Sequence, residues 1–200
     1  LILASASPRR LELLRSAGVE PRVMPVDADE TWRIGERPLD YVLRVAQAKA
    51  TLAASRMAGE DALILAADTT VWIADDREPL GKPADPAEAR AMLRVLTSGA
   101  PHFVTTACAF VRVAARATSE PVEPVLETAE VTMRRLDAAA FERFIGPYLA
   151  AGDWHDKAGA YAIQGRAAGL VERIVGSYTA IVGLPLAQVL ARLDACLEAS

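Results

Sequence analysis

Residues 5–10 read Ser-Ala-Ser-Pro-Arg-Arg and follow the apolar run Leu1-Ile2-Leu3-Ala4. A helical pattern of residues 11–17 comes next. The stretch reads as strand, tight loop, helix, with the loop at the helix N-terminus. Such a loop offers free backbone N–H groups and the positive end of the helix dipole. Two hydroxyls, from Ser5 and Ser7, and the guanidiniums of Arg9 and Arg10 are added to it. Together they make a small anion trap suited to phosphate oxygens. A surface helix cap with two solvated arginines is the plain alternative. The buried strand in front of the loop favours a site, because α/β sheets place ligands at the carboxyl ends of strands. The glycines of a P-loop are absent.

Asp68 supplies the opposite charge. It closes the apolar run Leu63-Ile64-Leu65-Ala66-Ala67, where a carboxylate loses hydration unless it is paired or bound to a cation. Glu30 brings a second carboxylate from a separate loop. Two carboxylates with waters and phosphate oxygens satisfy Mg²⁺. Asp27 and Asp29 read as solvated loop charges. Three isolated lysines, Lys49, Lys82 and Lys157, would line a cationic pocket if the fold brought them together. Each alone reads as a solvated lysine.

Residues 153–165 are dense in small and polar groups. Small residues let a backbone approach a ligand closely. Tyr161 offers a flat face, and the Gln164 amide can read donors and acceptors on a nucleobase. The histidines number two, His102 and His155, and neither has a partner at metal spacing. His102 reads as structural and His155 as exposed. Trp32, Trp72 and Trp154 read as packing residues, and Cys108 and Cys196 as buried small hydrophobes.

The elements that must position these groups interleave. Helices are expected from Pro8, with Ser7 as N-cap and Gly18 as stop, and from Pro38, with Tyr41, Val42, Val45, Ala46, Lys49 and Leu52 at helical spacing. Others are expected from Asp85-Pro86 to Leu96, over 137–149, and over 185–197. Strands are expected over 19–26, 62–67 continuing through 73, 103–113, 122–133 and 170–175. Asp75-Asp76 is a hairpin-turn candidate, and 114–120 a polar turn. No repeat or low-complexity linker interrupts the chain. The class is α/β or α+β, in one domain over residues 1–200.

The totals exclude several classes. The 200 residues are 52% hydrophobic and 24% charged, with net charge −4. A broad basic footprint for nucleic acid is therefore absent, though local charge can oppose the global sign. There is no run long enough for a membrane span and no visible secretory signal. Leu1 rather than Met opens the chain, so a few native residues are expected ahead of it. A reducing cytoplasm is the expected location.

In this order, the pieces resemble the Maf family of nucleotide pyrophosphatases. The matching segments are Ser5-Ala6-Ser7-Pro8-Arg9-Arg10, Asp29-Glu30, Lys49-Ala50, Ala67-Asp68-Thr69 and Gly81-Lys82-Pro83, then Asp156-Lys157-Ala158-Gly159-Ala160-Tyr161-Ala162-Ile163-Gln164-Gly165, Gly176-Ser177-Tyr178 and Val182-Gly183-Leu184-Pro185-Leu186. They span nearly the whole chain. The resemblance implies a two-lobed α/β fold around an elongated mixed β-sheet with an active-site cleft, shared with inosine triphosphate pyrophosphatases. It implies hydrolysis of nucleoside triphosphates to monophosphate and pyrophosphate with Mg²⁺ or Mn²⁺, in a homodimer. Arg9, Thr69, Lys157, Tyr161 and Gln164 follow the branch that acts on dTTP, UTP and modified pyrimidine nucleotides. A second branch, acting on 7-methyl-GTP, has Trp-Arg for Arg-Arg and Gln after the aspartate. Two departures stand out. The connection 97–102 is one residue longer than usual, and Thr70 replaces an aliphatic residue.

In these terms Ser7, Arg9 and Arg10 would hold the triphosphate, with Lys49 and Lys82 neutralising further charge. Glu30 and Asp68 would hold the metal, Asp68 would activate water, and Lys157 and Gln164 would face the base and sugar. A nucleotide-binding regulator of cell division without catalysis, and a purine-directed pyrophosphatase, are the rival readings.

Overall fold

The computed structural model describes residues 1–57, 59–74, 78–115 and 119–198. Its strands are β1 (Ile2–Leu3), β2 (Arg22–Val23), β3 (Ala62–Trp72), β4 (Pro101–Val113), β5 (Glu120–Met133) and β6 (Val171–Val175). Its helices are α1 (Pro8–Ser16), α2 (Pro38–Ser55), α3 (Pro86–Leu96), α4 (Ala138–Ala150), α5 (Tyr178–Val182) and α6 (Leu186–Glu198). The strands form one sheet in the order β2-β1-β3-β4-β5-β6. β1 runs parallel to both β2 and β3, and the remaining pairs are antiparallel. The class is α/β with a mixed sheet.

Side chains alternate along β3, and the alternation sorts the helices. Ile64 and Ala66 pack with Val42, Ala46, Ala50 and Ala53 of α2. Leu65 and Ala67 pack on the opposite face with Leu14 of α1 and Val189 and Leu193 of α6. Val71 joins a third cluster with Leu93 of α3 and Phe141 and Ile145 of α4. So α1 and α2 cover opposite faces, although each leads into or out of β2, the neighbour of β1. That arrangement makes the carboxyl end of β1 a topological switch point, where open α/β sheets leave a crevice. β1 ends at Leu3, opposite Leu65, while β3 continues to Trp72. The edge of β3 beyond Leu65 is thereby left beside that crevice.

Several expectations change. The expected strand 19–26 shrinks to Arg22–Val23, because its neighbour β1 offers only two residues to pair with. The helix after residue 7 does start at Pro8 with Ser7 at the N-cap, but the serine hydroxyl makes no capping bond. Asp85 and Asp137 do cap, accepting from Ala87, Glu88 and Ala140 amides. α5 was not anticipated; Ser177 caps it. Asp75-Asp76 and part of the 114–120 turn lie outside the described residues. Cys108 and Cys196 are buried and unbridged, and among the described residues no helix is long and apolar enough to cross a membrane.

Candidate functional site

A cleft of about 550 Å³ opens at the end of β1. Ser7, Arg9, Arg10, Glu30, Lys49, Asp68, Lys82, Lys157 and Gln164 all line it. Every residue singled out from sequence is thus brought to one cavity. The groups divide into an ionic ladder, a braced loop and a far wall.

The ladder follows from strand parity. Asp68 shares its face with Ile64 and Ala66, so it points toward α2. There Lys49 stands one turn before Ala53 in the packed row. The Lys49 ammonium lies 2.8 Å from Asp68 Oδ1 and 2.6 Å from Glu30 Oε1. Lys82 Nζ lies 3.5 Å from Glu30 Oε2. Lys49 and Asp68 are buried, whereas Glu30 is partly open to the cleft. Burial raises the Asp68 carboxyl above its ordinary value, against the pull of Lys49 and Arg10. Burial also works to raise Glu30, but the hydrogen bond and charge of Lys49 outweigh it, and the net direction is downward. Lys49 therefore meets two carboxylates, where sequence reading aimed it at phosphate.

Arg10 is drawn inward. Its Nε donates to Gly183 O at 2.8 Å, Nη1 to Ser5 Oγ at 3.1 Å and Nη2 to Thr69 Oγ1 at 3.0 Å. Thr69 Oγ1 lies 2.8 Å from Thr106 Oγ1, which donates to Ala180 O. One guanidinium thus braces the 5–10 loop against β3, β4 and α5. Burial lowers the pKa of Arg10. Ser5 Oγ also accepts from the Ser7 N–H at 3.2 Å. Arg9 has no hydrogen bond or ion pair among the described residues, so its charge is free for a ligand.

The far wall is residues 156–164. Gly159 holds φ +66°, and a Cβ there would come within 3.1 Å of Val71 Cγ1. Both the conformation and the space require glycine. The Gly159 N–H donates to the carbonyls of Leu80 and Gly81, which ties this wall to the Lys82 loop. Asp156 and Ala160 also take positive φ. Such conformations cost about 1–3 kcal/mol each and gather at functional sites. Lys157 donates to His155 O, and burial followed by the Arg9 charge lowers its pKa. Two cations therefore share this region without an ion pair to either. Gln164 is exposed, and its amide makes no hydrogen bond among the described residues. His102, read from sequence as structural, is buried; its Nε2 lies 2.8 Å from Tyr161 Oη, and burial lowers its pKa to about 4.

No group of three or more metal-ligating side chains occurs among the described residues. Two carboxylates do face the cleft, and Asp68 Oδ2 makes no hydrogen bond among the described residues. With the Glu30 oxygens turned to Lys49 and Lys82, Asp68 Oδ2 is the open carboxylate oxygen, and a donor set this small would suit only an ion such as Mg²⁺, which keeps several waters and takes one or two carboxylates plus phosphate oxygens. Sequence reading missed Gly183 as a support, the residue whose carbonyl accepts from Arg10 Nε.

A family profile described as Maf-like protein matches residues 1–196. A protein of Hyphomonas neptunium named dTTP/UTP pyrophosphatase is 48% identical over 187 residues, covering 93% of this chain and 90% of that one. One of the same name from Anaeromyxobacter dehalogenans is 47% identical over 193 residues, covering 96% and 92%. Among solved structures, a HAM1 protein from Coxiella burnetii matches with TM-score 0.43 at 18% identity, covering 96% of this chain and 97% of that one. With the profile spanning nearly the whole sequence and relatives near half-identical along their length, this chain belongs to the Maf family.

Proposed function

We propose that this protein is a nucleoside triphosphate pyrophosphatase that converts dTTP and UTP to the monophosphate and pyrophosphate. The observation that carries the reading is one cleft with two ends. A buried ammonium joins two carboxylates at one end, and Arg9 and Lys157 stand without acid partners at the other. The shared name of its relatives supports the choice of substrate. The two ends belong to one domain of two lobes, and a cytoplasmic homodimer is part of the proposal.

In this reading Arg9 and Lys82 hold the triphosphate with the free amides of the 5–10 loop, and Arg10 keeps that loop in shape. Ser7 lends its hydroxyl. Such donors accelerate the reaction most when aimed at charge that grows in the transition state. Asp68 Oδ2 orients a water and takes its proton as the oxygen attacks the α-phosphorus. The bond from that phosphorus to the bridging oxygen breaks, and pyrophosphate leaves with the electron pair. Lys49 keeps Asp68 ionised for the task. Glu30 and Asp68 would hold a divalent cation, Mg²⁺ or Mn²⁺, which supplies charge neutralisation for the triphosphate. Lys157 and Gln164 face the sugar and base. The Gln164 amide can donate to a pyrimidine carbonyl and accept from N3–H.

Pyrophosphate release from a nucleotide panel tests the reading. Release from dTTP and UTP ahead of purine nucleotides is expected, and a chain that binds nucleotides without releasing pyrophosphate would be a regulator instead. Chelation with EDTA should abolish release, and Mg²⁺ or Mn²⁺ should restore it; activity that survives chelation removes the metal. Gln164→Glu swaps a donor for an acceptor. It should raise KM for UTP about tenfold while kcat changes little, since an unpaired polar edge is costly to bind. An unchanged ranking of nucleotides takes Gln164 out of base recognition.

A further inference from the structure

Glu30 sits in a segment without helix or strand, yet its carboxylate meets Lys49 at 2.6 Å. Something must hold that segment, because a free loop would spread the carboxylate over many positions. Three side chains of α2 bond to residues 30–36. Lys49 takes the Glu30 carboxylate. Tyr41 Oη donates to the Glu30 carbonyl at 2.9 Å. Arg44 donates through Nε to Glu36 Oε1 at 2.6 Å, and through Nη2 to Glu36 Oε2 at 2.8 Å and to Thr31 O at 3.0 Å.

The loop is built to receive that grip. Glu36 Oε2 accepts from the Arg33 N–H, and the Glu36 N–H donates to Arg33 O at 2.9 Å. Trp32 Nε1 donates to Glu36 O at 3.0 Å. Glu36 thus closes the turn upon itself and presents both carboxylate oxygens to Arg44. Arg44 and Glu36 are largely shielded from water, with side chains 21% and 12% exposed, so their pairing resists salt better than a surface pair. Only a guanidinium offers the planar fork that such a contact uses.

We propose that Arg44 and Tyr41 are positioning residues. They fasten residues 30–36 to α2 so that the Glu30 carboxylate is delivered to Lys49 and Lys82. The catalytic consequence rests on the pyrophosphatase reading above; the fastening itself does not.

Two measurements test it. The first needs no activity. Trypsin can cut the exposed Arg33–Ile34 bond, whereas Arg37 is protected by Pro38. Arg44→Met should speed cleavage at Arg33 about tenfold, because the local opening that exposes the bond becomes easier. Tyr41→Phe, which loses a single hydroxyl, should speed it less, and Arg44→Lys should behave more like Met than like Arg. Cleavage unchanged in all three variants overturns the proposal. The second measurement is a double-mutant cycle with Glu30→Gln. Arg44→Met alone should lower kcat about tenfold, but less than about twofold in the Glu30→Gln background, since both changes remove one interaction. Losses that multiply in full would mean that Arg44 acts on the fold at large, and would sink the delivery role. If the unmodified protein released no pyrophosphate, the functional reading would fall, and the cleavage rates would still decide the fastening.

Discussion

Asp68→Asn is expected to lower kcat by about a thousandfold, within the range that a positioned general base contributes. The argument is geometric. The substituted side chain has the same shape, and its amide oxygen can still accept from Lys49 where Oδ1 now does at 2.8 Å. What it cannot do is take a proton from water. Stability should fall far less than activity, because Lys49 keeps its ion pair with Glu30 at 2.6 Å and the neighbours on β3 stay packed. A thermal midpoint close to that of the parent protein, beside a collapsed turnover, is the expected pair of results. Turnover within a few-fold of the parent would remove Asp68 from the water-activating role. The parent enzyme should lose activity as pH falls and Asp68 takes up a proton. Burial sets that acid limb above the ordinary aspartate range. In Asp68→Asn the acid limb should vanish from the residual rate.

How far this site could be read without coordinates depends on which interactions are local. The 5–10 loop was legible because strand, cap, proline and arginines are neighbours in sequence. Asp68 was legible because a carboxylate in an apolar strand is costly wherever the strand ends up. Glu30 was read as the second carboxylate and Asp27 and Asp29 as solvated charges, although the loop has no helical or strand periodicity that says which of the three reaches the cleft. The destinations of the cations were not legible. Arg10 belongs to the phosphate-loop motif, but its guanidinium turns inward to Gly183, which lies 173 positions away. Helical spacing put Lys49 on the packed face of α2, and strand parity put Asp68 on the same side of β3. Neither periodicity said that the two rows would meet in register. The shortness of β2 was hidden for a similar reason, since a ladder can be no longer than its partner. α5 is too short for periodicity to reveal, and its anchor is the hydroxyl of Thr106 on a distant strand.

The register between α2 and β3 makes Lys49 the second position of large effect. Lys49→Met keeps the length and apolar stem of the side chain and deletes its charge. Two carboxylates then face each other across the gap, and Asp68 loses the cation whose charge and hydrogen bond most oppose the upward pull of burial. Its carboxyl moves further up, and at neutral pH the protonated form gains weight. We expect kcat at pH 7 to fall about a hundredfold, as the base becomes scarce in its active form. Unlike Asp68→Asn, this loss should be partly recovered as pH rises, because alkali restores the carboxylate. Stability should move the other way. A carboxyl whose folded value lies above its unfolded value favours the fold when protonated, and that contribution fades as pH climbs through the unfolded value toward the folded one. With Asp68 ionised and unpaired the cost is about 3–5 kcal/mol. The thermal midpoint of Lys49→Met should therefore fall with rising pH across the interval in which its activity returns. Activity and stability that instead rise together with pH would show that Lys49 does not govern the charge of Asp68. That result would leave the ammonium free for the phosphate role that its position in sequence first implied.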